Sequence, residues 1–262
     1  MPPSLRHAAL AALLLRDPQA KLDAVARMAE ADLPVALDAA LVEPSELPGR
    51  PARPQLVAPG RVTARGVGTR EGRGALLHAL AHIEFNAINL ALDVVWRFPA
   101  MPFAFYLDWT RVAAEEAEHF ALLCERLQTL DYLYGDFPAH DGLWEMARKT
   151  RLDVLARLAL VPRTLEARGL DASPLVRGKF AAVGDAQSAA LIDRILRDEI
   201  GHVAVGNFWY RYVCEQRGID PVRAFEPLMR EFNAPRLRGP FNLEARRAAG
   251  FTQIELDALH SL

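Results

Sequence analysis

The chain has 262 residues, and 51% of them are hydrophobic. It is therefore long enough to bury a large core in one domain or in two unequal ones. Its formal net charge of −2 argues neither for nor against a nucleic-acid partner. The two cysteines, Cys124 and Cys214, fall inside helical patterns. This usage excludes a disulfide scaffold and fits a reducing compartment.

Residues 1–42 predict a helical N-terminal segment packed on the rest of the protein. The pattern breaks near Asp17, which can cap the next helix with Pro18 at its first position. Residues 8–15 resemble a short secretory segment but lack a clear cleavage site. No apolar run approaches the roughly 20 residues that span a bilayer. We therefore expect a cytoplasmic protein with no membrane partner.

Residues 43–72 predict an extended arm, because prolines and glycines recur there and interrupt any helical period. The interval 50–73 is basic, because Glu71 is the one acidic residue in it beside the arginines Arg50, Arg53, Arg61, Arg65, Arg70 and Arg73. A phosphate-binding strip is one interpretation. Without interleaved aromatic residues it matches no nucleic-acid module, so we favour salt-bridged or solvated side chains. RNA binding by this strip stays an open alternative.

Residues 73–218 predict four long helices, at about 73–98, 103–130, 142–167, and 180 or 186 to 217. The 11 residues of 131–141, fully extended, could just cross a bundle of about 35 Å. Residues 219–262 predict a C-terminal arm with one short helix near 252–259. We find no convincing strand, so the predicted fold class is all-α.

Two Glu-x-x-His motifs carry the chemistry. Glu116 precedes His119, and Glu199 precedes His202. Residues three apart on a helix lie on one face, about one turn apart, so each pair can converge on one metal ion. A single such motif is common by chance on a solvated helix face. The repetition makes chance a poor explanation.

Each motif also has a lone glutamate one helix earlier. Glu84 lies 32 residues before Glu116, and Glu166 lies 33 residues before Glu199. Glu84 occupies an otherwise apolar stripe, where an uncompensated carboxylate would be costly. Two Glu-x-x-His helices and two single-Glu helices form the ligand set of a dinuclear carboxylate bundle. We therefore predict two metal ions, as Fe/Fe or Mn/Fe, held by Glu84, Glu116, His119, Glu166, Glu199 and His202.

Neighbouring polar residues are assigned more modest roles. Asp198 and Glu115 adjoin the ligands and could support them, Asp198 by accepting a hydrogen bond from a metal-bound imidazole. Solvent exposure is the alternative for both. His78 and His82 are rotated by about 120° and 160° from Glu84 around the helix. We expect them to be supporting or interface histidines.

The ligand pattern resembles the ferritin-like di-iron carboxylate superfamily. A closer resemblance, over nearly the whole chain, is to the ferritin-like family known as domain of unknown function 455. It is carried by Ala-His-Ile-Glu-Phe-Asn-Ala-Ile at 81–88, Glu-Glu-Ala-Glu-His-Phe at 115–120, Asp-Glu-Ile-Gly-His-Val at 198–203 and Gly-Pro-Phe-Asn-Leu-Glu-Ala-Arg at 239–246. The resemblance implies a four-helix bundle with a crossover between its second and third helices, and a dinuclear metal centre. It supplies no substrate.

In that topology, one end of the bundle collects small residues and two tryptophans, each seven residues from a ligand. A pocket for dioxygen or a substrate would open there, although ordinary core packing is an equal alternative. The residues that would line it are Ile88, Ala91, Trp109, Ala113, Ala159, Pro162, Gly206 and Trp209. Pro162 could also kink its helix one turn before Glu166.

The leading functional hypothesis is an oxidoreductase, an oxidase or hydroxylase that uses O₂ on a small-molecule substrate. One alternative is iron handling of the ferroxidase type without an organic substrate. Another is a structural bundle stabilised by metal. A nucleic-acid base as the oxidised substrate would require the arginine strip to bind RNA. A homodimer is compatible with the predicted arms.

Overall fold

The computed structural model describes residues 4–37, 41–63 and 65–259. Within these ranges the chain is helical and has no strand, which confirms the all-α prediction. The one β pairing recorded is an isolated parallel bridge between Leu56 and Ala139. The chain divides into two compact units, Met1–Asp141 and Gly142–Leu262. The four segment boundaries and the crossover connection expected from the sequence stay predictions.

The first unit begins with two capped helices, α1 (Leu5–Leu14) and α2 (Pro18–Glu30). The side chain of Asp17 accepts a hydrogen bond from the backbone N–H of Ala20, and Pro18 occupies the first turn of α2. This confirms the predicted cap. Of the residues described between α2 and Thr69, only the short 3₁₀ turn Pro59–Arg61 is helical.

The long helices of this unit are α3 (Arg70–Arg97) and α4 (Phe103–Gln128), close to the predicted ranges. The α3 helix begins earlier than predicted because the side chain of Thr69 caps it at the Gly72 N–H. The two helices pack along their length, for example through the rings of Phe85 and Phe120, whose centroids are 5.2 Å apart. By length and composition alone α3 could cross a membrane, but most of it is buried in the protein, as in the core helix of a soluble protein.

The second unit departs from the sequence prediction in its first half. A single helix over 142–167 was expected, and this is wrong. The segment instead forms α5 (Gly142–Lys149), α6 (Val154–Leu160), a π-helix (Val161–Glu166) and α7 (Ala167–Ala182).

Local side chains explain these departures. Asp153 accepts hydrogen bonds from the N–H groups of Leu155 and Ala156, so it starts a new helix where the earlier one would continue. Pro162 has no N–H to donate, which favours the wider π-helical turn. Gly169 stays helical at a cost of about 1 kcal/mol. The chain instead turns at Gly184, whose φ is 75°.

The rest of the second unit contains α8 (Ala186–Gln216), α9 (Pro221–Glu231), α10 (Leu243–Ala248) and α11 (Gln253–Ala258). The fourth predicted long helix is confirmed as α8. The short C-terminal helix is confirmed as α11, which begins with a capping box formed by Thr252 and Glu255. Helices α9 and α10 were not predicted, although Asp220 before Pro221 and Asn242 before Leu243 are ordinary start signals.

Buried cations hold the N-terminal helices of the first unit to α3. The Arg6 guanidinium donates to the carbonyl oxygen of Trp96, at 3.1 Å from Nε and 2.8 Å from Nη2, near the C-terminus of α3. Lys21 is fully buried, and its Nζ donates to Leu13 O at 3.0 Å, Gly49 O at 3.3 Å and Asn89 Oδ1 at 2.5 Å. These bonds satisfy carbonyl groups that would otherwise be buried without partners.

The buried lysine predicts an unusual pH dependence of stability. Burial, with a smaller contribution from the charge of Arg50, lowers the pKa of Lys21 from 10.5 to about 7. Between these values the unfolded chain binds more protons than the folded one, so stability rises with pH. The penalty is fully present below about pH 7. We expect the free energy of unfolding to increase by about 2 kcal/mol from pH 7 to pH 9.

Denaturant unfolding at several pH values measures this increase. The Lys21→Met variant should lose it, whereas Lys179→Met, which removes an exposed lysine, should keep it. Equal pH dependence in the wild type and Lys21→Met would contradict the assignment.

Candidate metal centre

The first unit brings three of the six predicted ligands together. Glu116 and His119 lie one turn apart on α4, and both are fully buried. The Nδ1 atom of His119 lies 3.5 Å from Oε2 of Glu116 and 3.7 Å from Oε2 of Glu84 on the neighbouring helix α3. Glu84 itself is only 4% exposed. Periodicity therefore places all three side chains in the same buried region.

The charges of this group compensate one another in part. Burial alone would lower the pKa of His119, but the negative charges of the nearby Glu116 and Glu84 carboxylates outweigh it and raise the pKa to about 11. The imidazolium form thus balances one of the two carboxylates. A divalent cation in the same region would balance both, which makes this donor set chemically suited to a metal ion.

The second unit repeats the motif on α8. Glu199 and His202 are both buried, and Nδ1 of His202 lies 3.6 Å from Oε1 of Glu199. Glu166 is half-buried and is the last residue of the π-helix. A π-helix shifts every following side chain around the axis relative to an α-helix, so it determines the direction of Glu166.

The three buried side chains of the first unit, Glu84, Glu116 and His119, belong to a group that could hold a metal ion. They offer two carboxylates and one imidazole, donors that suit iron or manganese. The assignment of Glu166 and His202 to the same centre stays a prediction. Glu115 and Asp198, expected to support the ligands, are both half-buried, and their roles also stay predictions.

The residues predicted to line a substrate pocket are all buried: Ile88, Ala91, Trp109, Ala113, Ala159, Pro162, Gly206 and Trp209. In the second unit, a Cβ atom added to Gly206 would lie 2.5 Å from Cβ of Pro162, so these two residues are in direct contact. One cavity lies beside Thr110 in the first unit, and another lies between α8 and the end of α10. None of the eight residues lines either cavity. The pocket stays a prediction.

The two histidines of α3 have a separate role. Nε2 of His78 accepts a hydrogen bond from the Gly135 N–H at 2.9 Å, and Nδ1 of His82 bonds to the Tyr134 hydroxyl at 2.8 Å. Burial lowers the pKa of both histidines to about 4, so both rings are neutral at pH 7. They fasten the segment that follows α4, and their predicted role beside the ligands or at an interface stays a prediction.

The basic arm is salt-bridged at several positions. Arg50 pairs with Asp141, Arg65 Nε lies 3.1 Å from Glu71 Oε1, and Arg70 Nη2 lies 2.6 Å from Asp131 Oδ2. These contacts bear out the salt-bridged interpretation for three of the six arginines.

Sequence reasoning missed the residues that hold the π-helix. Arg163 is 2% exposed, and its Nη2 donates to Oε1 of Glu255 on α11 at 2.5 Å. Its guanidinium carbon lies 4.1 Å from the centre of the Tyr210 ring and 5.1 Å from that of Phe251. This ion pair inside an aromatic cage fixes the segment that ends at Glu166. The signal in the sequence for this contact is an arginine, Arg163, placed directly after an apolar run.

A protein family described as "Protein of unknown function (DUF455)" matches residues 14–257. The chain belongs to this family. An "Uncharacterized protein" of Haemophilus influenzae (strain ATCC 51907 / DSM 11121 / KW20 / Rd) is 50% identical over 219 residues, which cover 81% of this chain and 76% of the relative. No solved structure matches the chain. The DUF455 assignment bears out the closer of the two resemblances. Membership of the ferritin-like superfamily stays a prediction.

The contact between Gly206 and Pro162 gives a stability test in this DUF455 chain. We expect Gly206→Ala to lower the free energy of unfolding by about 2 kcal/mol, because the new methyl group would overlap the proline ring. Gly201, on the same helix, has open space at its Cβ position, so Gly201→Ala should be neutral or stabilising by up to about 1 kcal/mol. Denaturant unfolding measures both, and a Gly206→Ala protein as stable as the wild type would refute the close contact.

The Arg163–Glu255 pair gives a second test. Burial raises the pKa of Glu255, but the charge of Arg163 and hydrogen bonds donated by Thr252 outweigh it, so the pKa lies below its ordinary value. Its contribution to stability is therefore present near neutral pH and is lost as the pH falls below the ordinary carboxyl range. We expect Glu255→Gln to cost roughly 3 kcal/mol at pH 7, with a smaller difference in acid.

The matched control is Glu226→Gln, which removes an exposed ion pair with Arg230 on α9. Its cost should stay below about 1 kcal/mol. Equal costs for the two variants, measured by denaturant unfolding at pH 7, would show that Glu255 is not a buried partner of Arg163.

Proposed function

We propose that this protein is a dinuclear metal protein that carries out O₂-dependent oxidation of a small molecule. The observation that carries the proposal is the buried group of Glu84, Glu116 and His119 in the first unit, which could hold a metal ion. The second Glu-x-x-His pair on α8, and Glu166 ahead of it, extend the set to four carboxylates and two imidazoles. Such a set comes close to neutral with two divalent ions.

The chemistry of the donors supports iron, or iron with manganese. Carboxylate oxygens suit hard cations and can bridge two of them, and imidazole beside carboxylates suits redox-active iron. When bound, two such metal ions would supply oxidation chemistry that uses dioxygen. A purely structural metal would not need the mixture of four carboxylates and two imidazoles.

The contribution of the chain is to hold the ions and to exclude water. Leu77, Ile88 and Leu123 lie one or two helical turns from the ligands of the first unit on α3 and α4, and all three are fully buried. A dry surrounding strengthens the attraction between carboxylates and cations. In the proposal, the small substrate would enter beside Ala91, Ala113, Ala159 and Gly206, where side chains are short. We place the reaction in the cytoplasm.

Metal analysis of the purified protein tests the proposal. We expect about two ions per chain, with iron present, and an optical spectrum that changes when the reduced protein meets O₂. Glu84→Gln and Glu166→Gln keep the shape of the side chain but remove a ligand charge, and each should weaken metal binding at least tenfold.

The control is Glu125→Gln, which changes an exposed glutamate of α4. It should leave metal content unchanged. Full occupancy in both the Glu84 and the Glu166 variants would refute the ligand assignment. Bound metal with no response to O₂ would refute the oxidation while keeping the metal site.

A further inference from the structure

A second candidate site lies in the first unit. A cavity of about 580 Å³ opens between α4 and the end of α2. Its volume lies within the range of small-molecule sites. On the α4 side its lining extends from Phe103 to Glu118, about 22 Å along the helix axis at 1.5 Å per residue. The cavity is therefore long enough for an extended ligand.

The opposite wall is formed by the end of α2 and the turn that follows it. Helix α2 ends at Glu30, and Ala31 is already extended, with a φ of −86° and a ψ of 133°. The N–H of Leu5 donates to Pro34 O at 2.8 Å, which holds this turn at the start of α1. Both walls carry alanines, whose short side chains leave space between them: Ala29, Ala31, Ala104 and Ala114. Backbone structure and side-chain size together form the cavity.

Two large apolar side chains at this cavity are only partly covered. Phe103 is 51% exposed and Leu107 is 47% exposed, and the two lie one turn apart on the same face of α4. Leu5 and Met28, which are buried, add apolar lining from α1 and α2. Adjacent apolar side chains that stay exposed mark a surface that a ligand can cover with gain of free energy. A ligand with methylene groups would supply that cover.

The charged side chains of the lining are mainly acidic. They comprise Asp32, Asp108, Glu115 and Glu118, with Arg111 as the one basic residue of the lining. Arg111 is matched inside the lining, because its Nη2 lies 3.2 Å from Asp108 Oδ1. The lining therefore keeps an excess of three carboxylates. Asp32 is exposed and makes no ion pair with another described residue. These charges favour a ligand with several positive groups.

The carboxylates are spread along the cavity and not gathered at one point. On α4, Asp108 lies about 10 Å from Glu115 along the helix axis, and Glu115 lies about 5 Å from Glu118. Asp32 lies on the opposite wall. A single compact ion cannot contact carboxylates at such distances. A chain that carries positive groups at intervals, with methylene groups between them, matches both the charges and the apolar side chains.

We propose that this cavity binds a linear aliphatic polyamine. Its ammonium groups face the carboxylates of Asp32, Glu115 and Glu118, and its methylene chain lies against Phe103 and Leu107. The proposal is independent of the proposed metal function, because none of the six predicted ligands lines the cavity.

Titration of the full chain with spermidine, followed by calorimetry and NMR, tests the site. We expect saturable binding of one molecule per chain, with a dissociation constant on the order of a millimolar for a ligand of this size. Hexaamminecobalt(III) matches the positive charge of spermidine but has no methylene chain, so it should bind about tenfold more weakly. Equally tight binding of the two cations, or no saturation by spermidine, would overturn the proposal.

Two variants locate the binding, one on each wall of the cavity. Asp32→Asn and Leu107→Ser alter exposed side chains, so the protein should stay folded, and each should weaken spermidine binding by about threefold. The matched controls are Asp23→Asn on α2 and Leu175→Ser on α7, which change exposed residues outside the cavity and should have no effect. Unchanged affinity in either Asp32→Asn or Leu107→Ser would place spermidine elsewhere and reject the site.

Discussion

Compensation of buried charge is the constraint on which the rest of this structure depends. Glu84, Glu116 and His119 lie inside the core of the first unit, where an isolated charge would cost several kcal/mol. Their mutual contacts bring opposite charges within 3.7 Å and so lower that cost. The pairing of α3 with α4 must therefore satisfy electrostatics as well as packing. This double requirement leaves little freedom in the register of the two helices.

The same constraint governs the second unit, with cations as the buried groups. Arg246 is fully buried, and its Nη2 lies 2.6 Å from Oδ2 of Asp171, which ties α10 to α7. Arg163 similarly connects the π-helix with α11. Short C-terminal helices such as α10 and α11 would be marginal in isolation. Their charged contacts with the longer helices explain how they keep fixed positions.

The sequence predicted what depends on local spacing. The Glu-x-x-His pairs can be recognised because helical periodicity places residues three apart on one face. The limits of α8 and α11 follow from capping residues next to their ends. The break between α5 and α6 was missed because the Asp153 cap competes with a helical pattern that looks continuous. The Arg163–Glu255 pair could not be predicted, since its members are 92 residues apart and only the tertiary fold joins them. Pro162 was recognised as a source of distortion, but helical periodicity alone does not predict that the distortion takes a π-helical form.

Helix α8 carries Glu199 and His202, and about one turn beyond His202 it carries Gly206. Gly206 contacts Pro162 of the π-helix that ends at Glu166. The close contact at Gly206 therefore makes the positions of Glu166, Glu199 and His202 depend on one another.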